Sequence, residues 1–279
     1  MYAIIGLGAV GSLLALFLNR AGHRPYVLAR SRVRRVVWGG ETYTLDVAYV
    51  DEVPDVEYTL VAVKAYDTEG VLPHIRGVPV IFQNGIGGLE LVVERYGKGL
   101  GAVVTYGAYR SSDVVEVRGA GEIILPEDAG RLVDDLRNGG ANVRAVPDVG
   151  PYRWLKTIVN AAINPVTALL RAPNGVVVED PWARAVAEAA AREGGEVASR
   201  SGVRLPGDPV EETFRVAAAT RWNLSSMYQD VARGGRTEVD YINGAIVRRG
   251  RELGVPTPVN ETLWRLVKAL EGRRTALLP

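Results

Sequence analysis

The sequence predicts an α/β protein in which an N-terminal domain with a mostly parallel sheet precedes an all-helical C-terminal domain. Short apolar runs separated by helical patterns fill the first half, as in a parallel sheet that is buried on both faces. A glycine-rich turn joins the first run to the first helix. Beyond residues 147–151 helical periodicity dominates, so we assign the domains to residues 1–148 and 149–279.

The elements of the first half alternate in type. Tyr2–Ile5 is a short apolar strand, Ala9–Arg20 is an apolar helix, and residues 25–29 form the second strand. Further strands are predicted at residues 59–63, 78–82 and 143–146 with a helix at 129–136, and long helical stretches of the second domain are predicted at 181–201 and 239–253.

Composition limits the class of protein. Apolar residues make up 47% and charged residues 23% of the chain, which is typical of a globular protein. Lys+Arg total 33 against Asp+Glu 32, so nucleic acid is not expected as a partner. The absence of cysteine excludes disulfides and cysteine-ligated metal, and no metal site is predicted. No uncharged apolar stretch reaches about 20 residues and no secretory leader is evident, so a cytoplasmic protein without membrane attachment is predicted.

The glycine-rich turn has the context of a Rossmann-type dinucleotide site, because it follows a strand and opens a helix. Gly6 makes the tight turn, Gly8 allows the pyrophosphate to approach, and Gly11 allows the helix to pack closely on the strand. The positive end of the helix dipole attracts the phosphates. The motif reads Gly6-Leu7-Gly8-Ala9-Val10-Gly11.

The residues after the second strand indicate which dinucleotide is bound. Arg30 stands where NAD-specific proteins carry an acid for the ribose 2′-hydroxyl, and no acidic residue occurs between His23 and Gly40. A guanidinium would bind the 2′-phosphate of NADPH, which a carboxylate would repel. We therefore interpret these arginines as a phosphate-binding segment rather than a solvent-exposed loop, and predict NADPH as the cofactor.

Two polar side chains close the next predicted strands, Lys64 the third and Asn84 the fourth. Ligands of open α/β sheets bind at these carboxyl ends. Polar residues at strand ends also form turns, and Asn84-Gly85 is a common turn pair. Both interpretations stay open for each residue.

The first helix of the second domain carries a polar stripe. Lys156, Asn160 and Asn164 are spaced four residues apart and share one face of an otherwise apolar helix. Burying these groups is costly unless they find partners, and a substrate carbonyl and carboxylate would serve. The alternatives are an internal polar network or a lysine that extends to solvent. Pro165 predicts a kink in this helix.

Lys156 is also the best candidate for a proton donor, which hydride addition to a carbonyl requires. His23 lies in the turn after the first helix and His74 in a surface-like stretch, so neither is well placed. Partial burial would lower the pKa of the Lys156 ammonium and make it a more effective acid.

A second group of polar residues lies further along the chain, around Ser225-Ser226 and Thr237-Glu238. Read in isolation, the second pair favours helix capping, with Thr237 as the N-cap and Glu238 in the first turn.

Together these motifs resemble those of the ketopantoate reductase (2-dehydropantoate 2-reductase) family, NADPH-dependent enzymes of pantothenate and coenzyme A biosynthesis. The resemblance spans nearly the whole chain, and its last three motifs are more specific than the glycine motif. It rests on the glycine motif, Val63-Lys64, Gln83-Asn84-Gly85, Lys156-x-x-x-Asn160-x-x-x-Asn164-Pro165, Ser225-Ser226-Met227 and Thr237-Glu238-Val-Asp240.

The resemblance implies a role for each of these residues. Lys156 corresponds to the family's proton donor to the substrate C2 oxygen. Residues that correspond to substrate-binding positions are Asn84, Asn160, Asn164, Asn174 and Ser226. Residues that correspond to dinucleotide-binding positions are Gly6, Leu7, Gly8, Ala9, Val10, Gly11, Arg30, Lys64, Asn84, Ala108 and Glu238.

The activity that the resemblance implies is reduction of ketopantoate to pantoate by hydride transfer from NADPH, with NADH as the alternative cofactor. It allows a homodimer, for which the apolar C-terminal helices offer an interface. One alternative is a β-hydroxyacid or 6-phosphogluconate-type dehydrogenase, which also has a Lys-x-x-x-Asn motif. Another is a non-catalytic NADPH-binding sensor. The Ser226 and Glu238 motifs favour the reductase over the first, and the proton donor favours it over the second.

Overall fold

The computed structural model describes residues 1–272, and the chain divides into two compact units. The first unit contains residues 1–83 and 87–149. The second contains Asn84–Ile86 and the chain from Gly150 onward. The predicted boundary between residues 148 and 149 lies one residue from this break, but the sequence pattern gave no sign that Asn84–Ile86 pack with the helical unit.

The first unit is an α/β structure that contains three sheets. Its strands are β1 (Tyr2–Ile5), β2 (Tyr26–Leu28), β3 (Arg35–Trp38), β4 (Glu41–Thr44), β5 (Ala48–Tyr49), β6 (Tyr58–Val61), β7 (Val78–Ile81), β8 (Leu100–Gly101), β9 (Val103–Val104), β10 (Gly107–Ser111), β11 (Val114–Arg118), β12 (Ile123–Pro126) and β13 (Val143–Val146). Its helices are α1 (Ala9–Arg20), α2 (Thr68–Val71), α3 (Gly88–Tyr96) and α4 (Arg131–Asn138).

The main sheet has the strand order β5-β2-β1-β6-β7-β8, and each neighbouring pair is parallel. The chain runs from β1 to β2 and β5 on one side and resumes at β6 on the other. The carboxyl ends of β1, β2, β6 and β7 therefore meet at the edge where ligands bind in such sheets. This arrangement confirms the predicted Rossmann-type fold.

Both faces of this sheet are covered, as the uninterrupted apolar strands predict. Tyr2 and Ile4 belong to the core that includes α1 and α4, whereas Ala3 and Ile5 belong to the core that includes Val92 of α3. Successive side chains of a strand point to opposite faces, so one apolar strand contributes to two cores.

Two smaller sheets complete the unit. One has the order β10-β11-β3-β4 and the other β13-β12-β9. In the first, the hairpin of β10 and β11 is attached to the segment that follows β2, because β11 runs parallel to β3. The hairpin therefore lies next to the carboxyl end of β2.

The second unit is all-helical in the residues that the structure describes, as predicted. α5 is its central helix and packs against α7, α8, α9 and α11. The helices are α5 (Gly150–Leu170), α6 (Val176–Glu179), α7 (Pro181–Arg200), α8 (Pro209–Ala219), α9 (Ser226–Ala232), α10 (Asn243–Leu253) and α11 (Pro258–Leu270). Within residues 1–272, none of the helices combines the length and the apolar character that crossing a membrane requires.

Pro165 lies inside α5 and has no N–H to donate to the carbonyl of Ala161. The Nδ2 of Asn243 donates to that oxygen at 2.9 Å. The same Nδ2 donates to Oδ1 of Asn260 at 3.0 Å, and Nδ2 of Asn260 donates to Oε2 of Glu193 at 2.8 Å. Asn243 and Asn260 are fully buried. This network compensates the backbone bond that Pro165 removes, and α5 continues to Leu170.

The network predicts a coupling between Asn243 and Pro165. Asn243→Ala should lower the free energy of unfolding by about 2–3 kcal/mol, because a buried carbonyl loses its donor. In a Pro165→Ala background the restored N–H can serve Ala161, so the same substitution should cost about 1 kcal/mol less. Urea unfolding of the wild type, both single variants and the double variant measures the coupling. Equal losses in the two backgrounds would contradict it.

Candidate functional site

The glycine motif forms a tight turn with open space before α1. Gly6 has a φ of +94°, and a Cβ there would lie 2.7 Å from Cγ1 of Val63. A Cβ on Gly11 would lie 2.0 Å from the carbonyl oxygen of Gly6. A Cβ on Gly8, the N-cap of α1, would meet no heavy atom within 4 Å. The turn is therefore closed toward the protein and open at the helix N-terminus, which fits a pyrophosphate.

The other residues of the motif serve the core with their side chains. Leu7 is buried in the core beside α1, and Ala9 and Val10 pack against the same core. Their contribution to a ligand would come from the backbone. Ala108, on β10, also packs against this core with its side chain, which leaves it a backbone role as well.

Arg30 lies just beyond the carboxyl end of β2, and its side chain is 90% exposed. Its Nη2 donates to Oδ2 of Asp67 at 2.9 Å. Asp67 follows Lys64 in a short turn, and the backbone N–H of Asp67 donates to the carbonyl of Lys64 at 2.9 Å. Lys64 and Asp67 therefore lie in one turn, at the edge of the main sheet formed by the carboxyl ends of its strands.

Lys64 and Asn84 do not end strands, which corrects the predicted strand limits. β6 ends at Val61 and β7 at Ile81, so each residue lies three positions beyond its strand. Beyond Val61 the chain turns into a 3-10 helix whose N-cap is Lys64. Asn84 is followed by Gly85 with a φ of +85°, a conformation that interrupts any strand.

Asn84 instead belongs to a short segment that is bonded to the helical unit. Its Nδ2 donates to Oε2 of Glu238 at 3.1 Å, and the backbone N–H of Ile86 donates to the carbonyl of Tyr241 at 2.9 Å. A Cβ on Gly85 would lie 2.2 Å from that carbonyl oxygen, so only glycine allows this approach. Asn84 is therefore both a turn former and a partner of a candidate site residue.

Lys156 and Glu238 interact electrostatically within the helical unit. Burial lowers the pKa of Lys156 to about 8, and the carboxylate of Glu238 opposes this shift by favouring the charged ammonium. Glu238 is itself only 5% exposed. Lys156 as a whole is only partly buried, but desolvation dominates the pKa of its amine, which argues against a side chain that extends into solvent.

Asn160 and Asn164 follow Lys156 on the same face of α5, as their spacing predicts. Asn160 is partly buried and Asn164 is buried. The hydroxyl of Thr167 donates to the backbone carbonyl of Asn164 at 3.0 Å and lies 2.8 Å from the hydroxyl of Ser225. The polar stripe of α5 is thereby linked to the start of α9.

Ser225 and Ser226 have different roles. The hydroxyl of Ser225 accepts from the backbone N–H of Tyr228 at 3.1 Å and caps α9, whereas Ser226 is exposed at the first position of that helix. Only Ser226 therefore presents an exposed side chain. Asn174 is buried and its Nδ2 donates to the hydroxyl of Thr220 at 2.9 Å, while its Oδ1 has no hydrogen-bond partner in the described chain.

The predicted cap at Thr237 is wrong. α10 begins at Asn243, not at residue 239, and Thr237 and Glu238 precede it in a turn. The hydroxyl of Thr237 donates to Oε1 of Glu271 at 2.8 Å and accepts from the N–H of Val239 at 3.2 Å. The turn is bonded at both ends, because Thr237 contacts Glu271 and the Tyr241 carbonyl accepts from the N–H of Ile86.

His23 lies apart from these residues. Nε2 of His23 is 2.9 Å from Oδ2 of Asp135, which also accepts from the hydroxyl of Tyr2 at the start of β1. This is the opposite end of β1 from Gly6. Across residues 1–272, no three His, Cys, Asp or Glu side chains are grouped to hold a metal ion.

Asp67 and Arg110 contact residues of the candidate site, and the sequence did not indicate either of them. Asp67 engages Arg30, and Arg110 on β10 donates to the hydroxyl of Ser31 at 2.8 Å. Both contacts join residues far apart in the chain, so no local pattern indicates them. The predicted residues thus form two groups: the glycine turn, Arg30, Lys64 and Ala108 in the first unit, and Asn84, Lys156, Asn160, Asn164, Asn174, Ser226 and Glu238 in the second.

Comparisons with known proteins agree on one family. The family model described as ketopantoate reductase PanE/ApbA matches residues 2–130, and its C-terminal model matches residues 148–271. A curated 2-dehydropantoate 2-reductase from Pyrobaculum aerophilum is 52% identical over 274 residues, which covers 98% of each chain.

Solved structures extend the comparison to the fold. A PanE/ApbA family ketopantoate reductase from Ralstonia eutropha superposes with a TM-score of 0.88 at 28% identity, covering 98% of this chain and 99% of that one. A D-mandelate dehydrogenase solved with NADH and anilino(oxo)acetate superposes with a TM-score of 0.86 at 23% identity, covering 97% and 98%. At that identity the second similarity shows the fold alone.

The approach of Gly85 to Tyr241 leads to a stability prediction. Gly85→Ala should lower the free energy of unfolding by more than Gly22→Ala, since the two glycines have φ values of +85° and +83° but only Gly85 faces a close backbone atom. The control should lose about 1–2 kcal/mol from the left-handed conformation alone. Thermal and urea unfolding compare the two variants, and equal losses would show that the segment is free to move away from Tyr241.

Proposed function

The chain belongs to the ketopantoate reductase family, and we propose that it reduces 2-dehydropantoate to pantoate, with Lys156 as the proton donor and NADPH as the hydride source. The observation that carries the proposal is the environment of Lys156. Its ammonium has a pKa of about 8, interacts electrostatically with Glu238, and shares a helix face with two asparagines.

The first unit supports a dinucleotide as the hydride source. The glycine turn leaves open space at the N-terminus of α1, where a pyrophosphate would be attracted. Arg30 is paired with Asp67, but a surface ion pair contributes only about 0–1 kcal/mol. A 2′-phosphate, with about two negative charges, can therefore replace Asp67 as the partner of Arg30. On this ground we propose NADPH, with NADH as the alternative.

The proposed chemistry is addition of a hydride and a proton across the C2 carbonyl. When bound, the reduced nicotinamide supplies the hydride to the carbonyl carbon. Lys156 gives the proton to the carbonyl oxygen, whose negative charge its ammonium also stabilises. A pKa of about 8 leaves the amine protonated at neutral pH and still able to release its proton. The product is the 2-hydroxy acid.

The surrounding polar residues would bind and orient the substrate. The amides of Asn160 and Asn164 can donate to its carboxylate or hydroxyl, and the exposed hydroxyl of Ser226 can do the same. Glu238 maintains the charge on Lys156 and accepts a bond from Asn84. Asn174 is the least supported of the proposed substrate residues, because its amide nitrogen already bonds Thr220.

A homodimer stays a prediction. Several large apolar side chains of the helical unit are exposed, including Trp182 at 81% and Trp222 at 77%, and side chains of this kind are enriched at protein interfaces. Sedimentation of the purified protein measures its oligomeric state directly.

The proposed function predicts consumption of NADPH with ketopantoate, and its loss on removal of the amine. Lys156→Met should lower kcat by about 10²- to 10⁴-fold, the usual contribution of a general acid, while NADPH still binds. The exposed Lys98→Met is the matched control and should retain activity. The assay follows NADPH and NADH absorbance with ketopantoate and with a panel of 3-hydroxy acids.

Each alternative has its own outcome in that assay. Oxidation of 3-hydroxy acids without reduction of ketopantoate would favour the β-hydroxyacid dehydrogenase. Cofactor binding without turnover of any keto acid would favour the sensor. Unchanged kcat in Lys156→Met would reject the amine as proton donor.

The effect of Glu238 on the pKa of Lys156 predicts that Glu238→Gln shifts the alkaline limb of the pH profile. If the reaction requires the protonated amine, activity is constant at pH values below the pKa of Lys156, about 8. It declines as the pH rises through that value. Glu238→Gln removes the carboxylate that raises this pKa, so the decline should begin at lower pH. Asp240→Asn, two residues away, is the control. The measurement is log kcat/KM against pH, and an unmoved alkaline limb in Glu238→Gln would contradict the coupling.

A further inference from the structure

Arg110 lies on β10, outside the arginine run that the sequence singled out, yet it reaches the ligand edge of the first unit. Its Nη1 donates to the hydroxyl of Ser31 at 2.8 Å and to the carbonyl of Leu7 at 3.5 Å. Leu7 is the second residue of the glycine motif, and Ser31 directly follows Arg30. One side chain therefore bridges the segments that leave β1 and β2.

These two segments bound the position that a Rossmann-type fold gives to the adenosine ribose. The pyrophosphate lies at the helix after the first strand, and the ribose 2′ substituent lies at the end of the second strand. A guanidinium that bonds both Leu7 and Ser31 is therefore beside the position expected for a 2′ substituent.

The hairpin orients Arg110 before any ligand arrives. Its Nε donates to the carbonyl of Ser112 at 3.0 Å, at the hairpin tip where Ser112 has a φ of +53°. The carbonyl of Asp113 accepts from the backbone N–H groups of Arg34 at 2.8 Å and Arg35 at 3.2 Å. The tip is thereby attached to the segment after β2. Such preorganisation lowers the entropic cost of binding a ligand.

The nearby arginines differ in what they contact. The guanidinium of Arg32 lies over the ring of Tyr49 at 4.9 Å, which directs it to that ring. Arg30 is an exposed side chain whose ion pair with Asp67 holds it only weakly. Arg110 thus bonds the Ser31 hydroxyl with its guanidinium, and Arg30 directly precedes Ser31 in the chain.

We propose that Arg110 and Ser31 form, together with Arg30, the binding site of the 2′-phosphate, and that Arg110 determines specificity for NADPH over NADH. The proposal rests on the proposed use of a dinucleotide by this chain. A guanidinium matches phosphate geometry, and charge-assisted hydrogen bonds are about twice as strong as neutral ones. A phosphate bound there would accept a charge-assisted hydrogen bond from Arg110, which is stronger than the neutral bond of Arg110 to the Ser31 hydroxyl.

Binding of adenosine phosphates tests the proposal without any turnover. The probes are 2′,5′-ADP and 5′-AMP, which differ in the 2′-phosphate, together with NADP⁺ and NAD⁺, each titrated calorimetrically into the full chain. Arg110→Met should weaken the binding of 2′,5′-ADP and NADP⁺ by about tenfold to a hundredfold, the usual loss for a charged hydrogen bond. The affinities for 5′-AMP and NAD⁺ should change by less than about threefold. Arg110→Lys should keep part of the preference for the 2′-phosphorylated probes, and Ser31→Ala should reduce that preference.

Arg118→Met removes an exposed arginine on the other strand of the same hairpin and should change none of the four affinities. Equal weakening of phosphorylated and unphosphorylated probes in Arg110→Met, or no weakening, would overturn the proposal. A wild type that binds 2′,5′-ADP no better than 5′-AMP would overturn it together with the NADPH preference. Failure of ketopantoate as a substrate would leave these binding results unaffected.

Discussion

A desolvated ammonium is costly unless polar groups compensate it, and in the helical unit this cost falls on Lys156. Burial makes the amine a better acid, while Glu238 keeps it charged at neutral pH. Glu238 also accepts a bond from Asn84, so a segment from the middle of the N-terminal half is bonded beside the lysine. If Glu238 moved away, the amine would lose its charge at a lower pH and the hydrogen bond from Asn84 would be lost.

The helix that carries Lys156 depends on a second buried polar network. Pro165 leaves the carbonyl of Ala161 without a backbone donor one residue after Asn160, and Asn243 supplies the missing hydrogen bond from α10. Asn260 and Glu193 extend the network to α11 and α7. These bonds join α5 to three other helices, while the Oδ1 of Asn243 is buried without a hydrogen-bond partner in the described chain.

The first unit contains the groups that we propose to bind the phosphates of a dinucleotide. Gly8 leaves the N-terminus of α1 open, and the guanidinium groups are spread over separate segments. Arg30 is paired with Asp67 across a short turn, and Arg110 is held by the hairpin against Ser31. The ion pair of Arg30 is on the surface, where such pairs are weak, so we propose that a phosphate can replace Asp67 as its partner.

The sequence alone determined the fold class, most of the long helices and strands, and the chemistry of the motifs, because these depend on periodicity and on contacts within a few residues. The spacing of Lys156, Asn160 and Asn164 is of this kind. Only the tertiary structure decided that Thr237 and Glu238 precede α10 rather than cap it, since a contact with Gly85–Ile86 holds that turn. The bond from Arg110 to Ser31 spans 79 residues, and no local pattern encodes a partner at that separation.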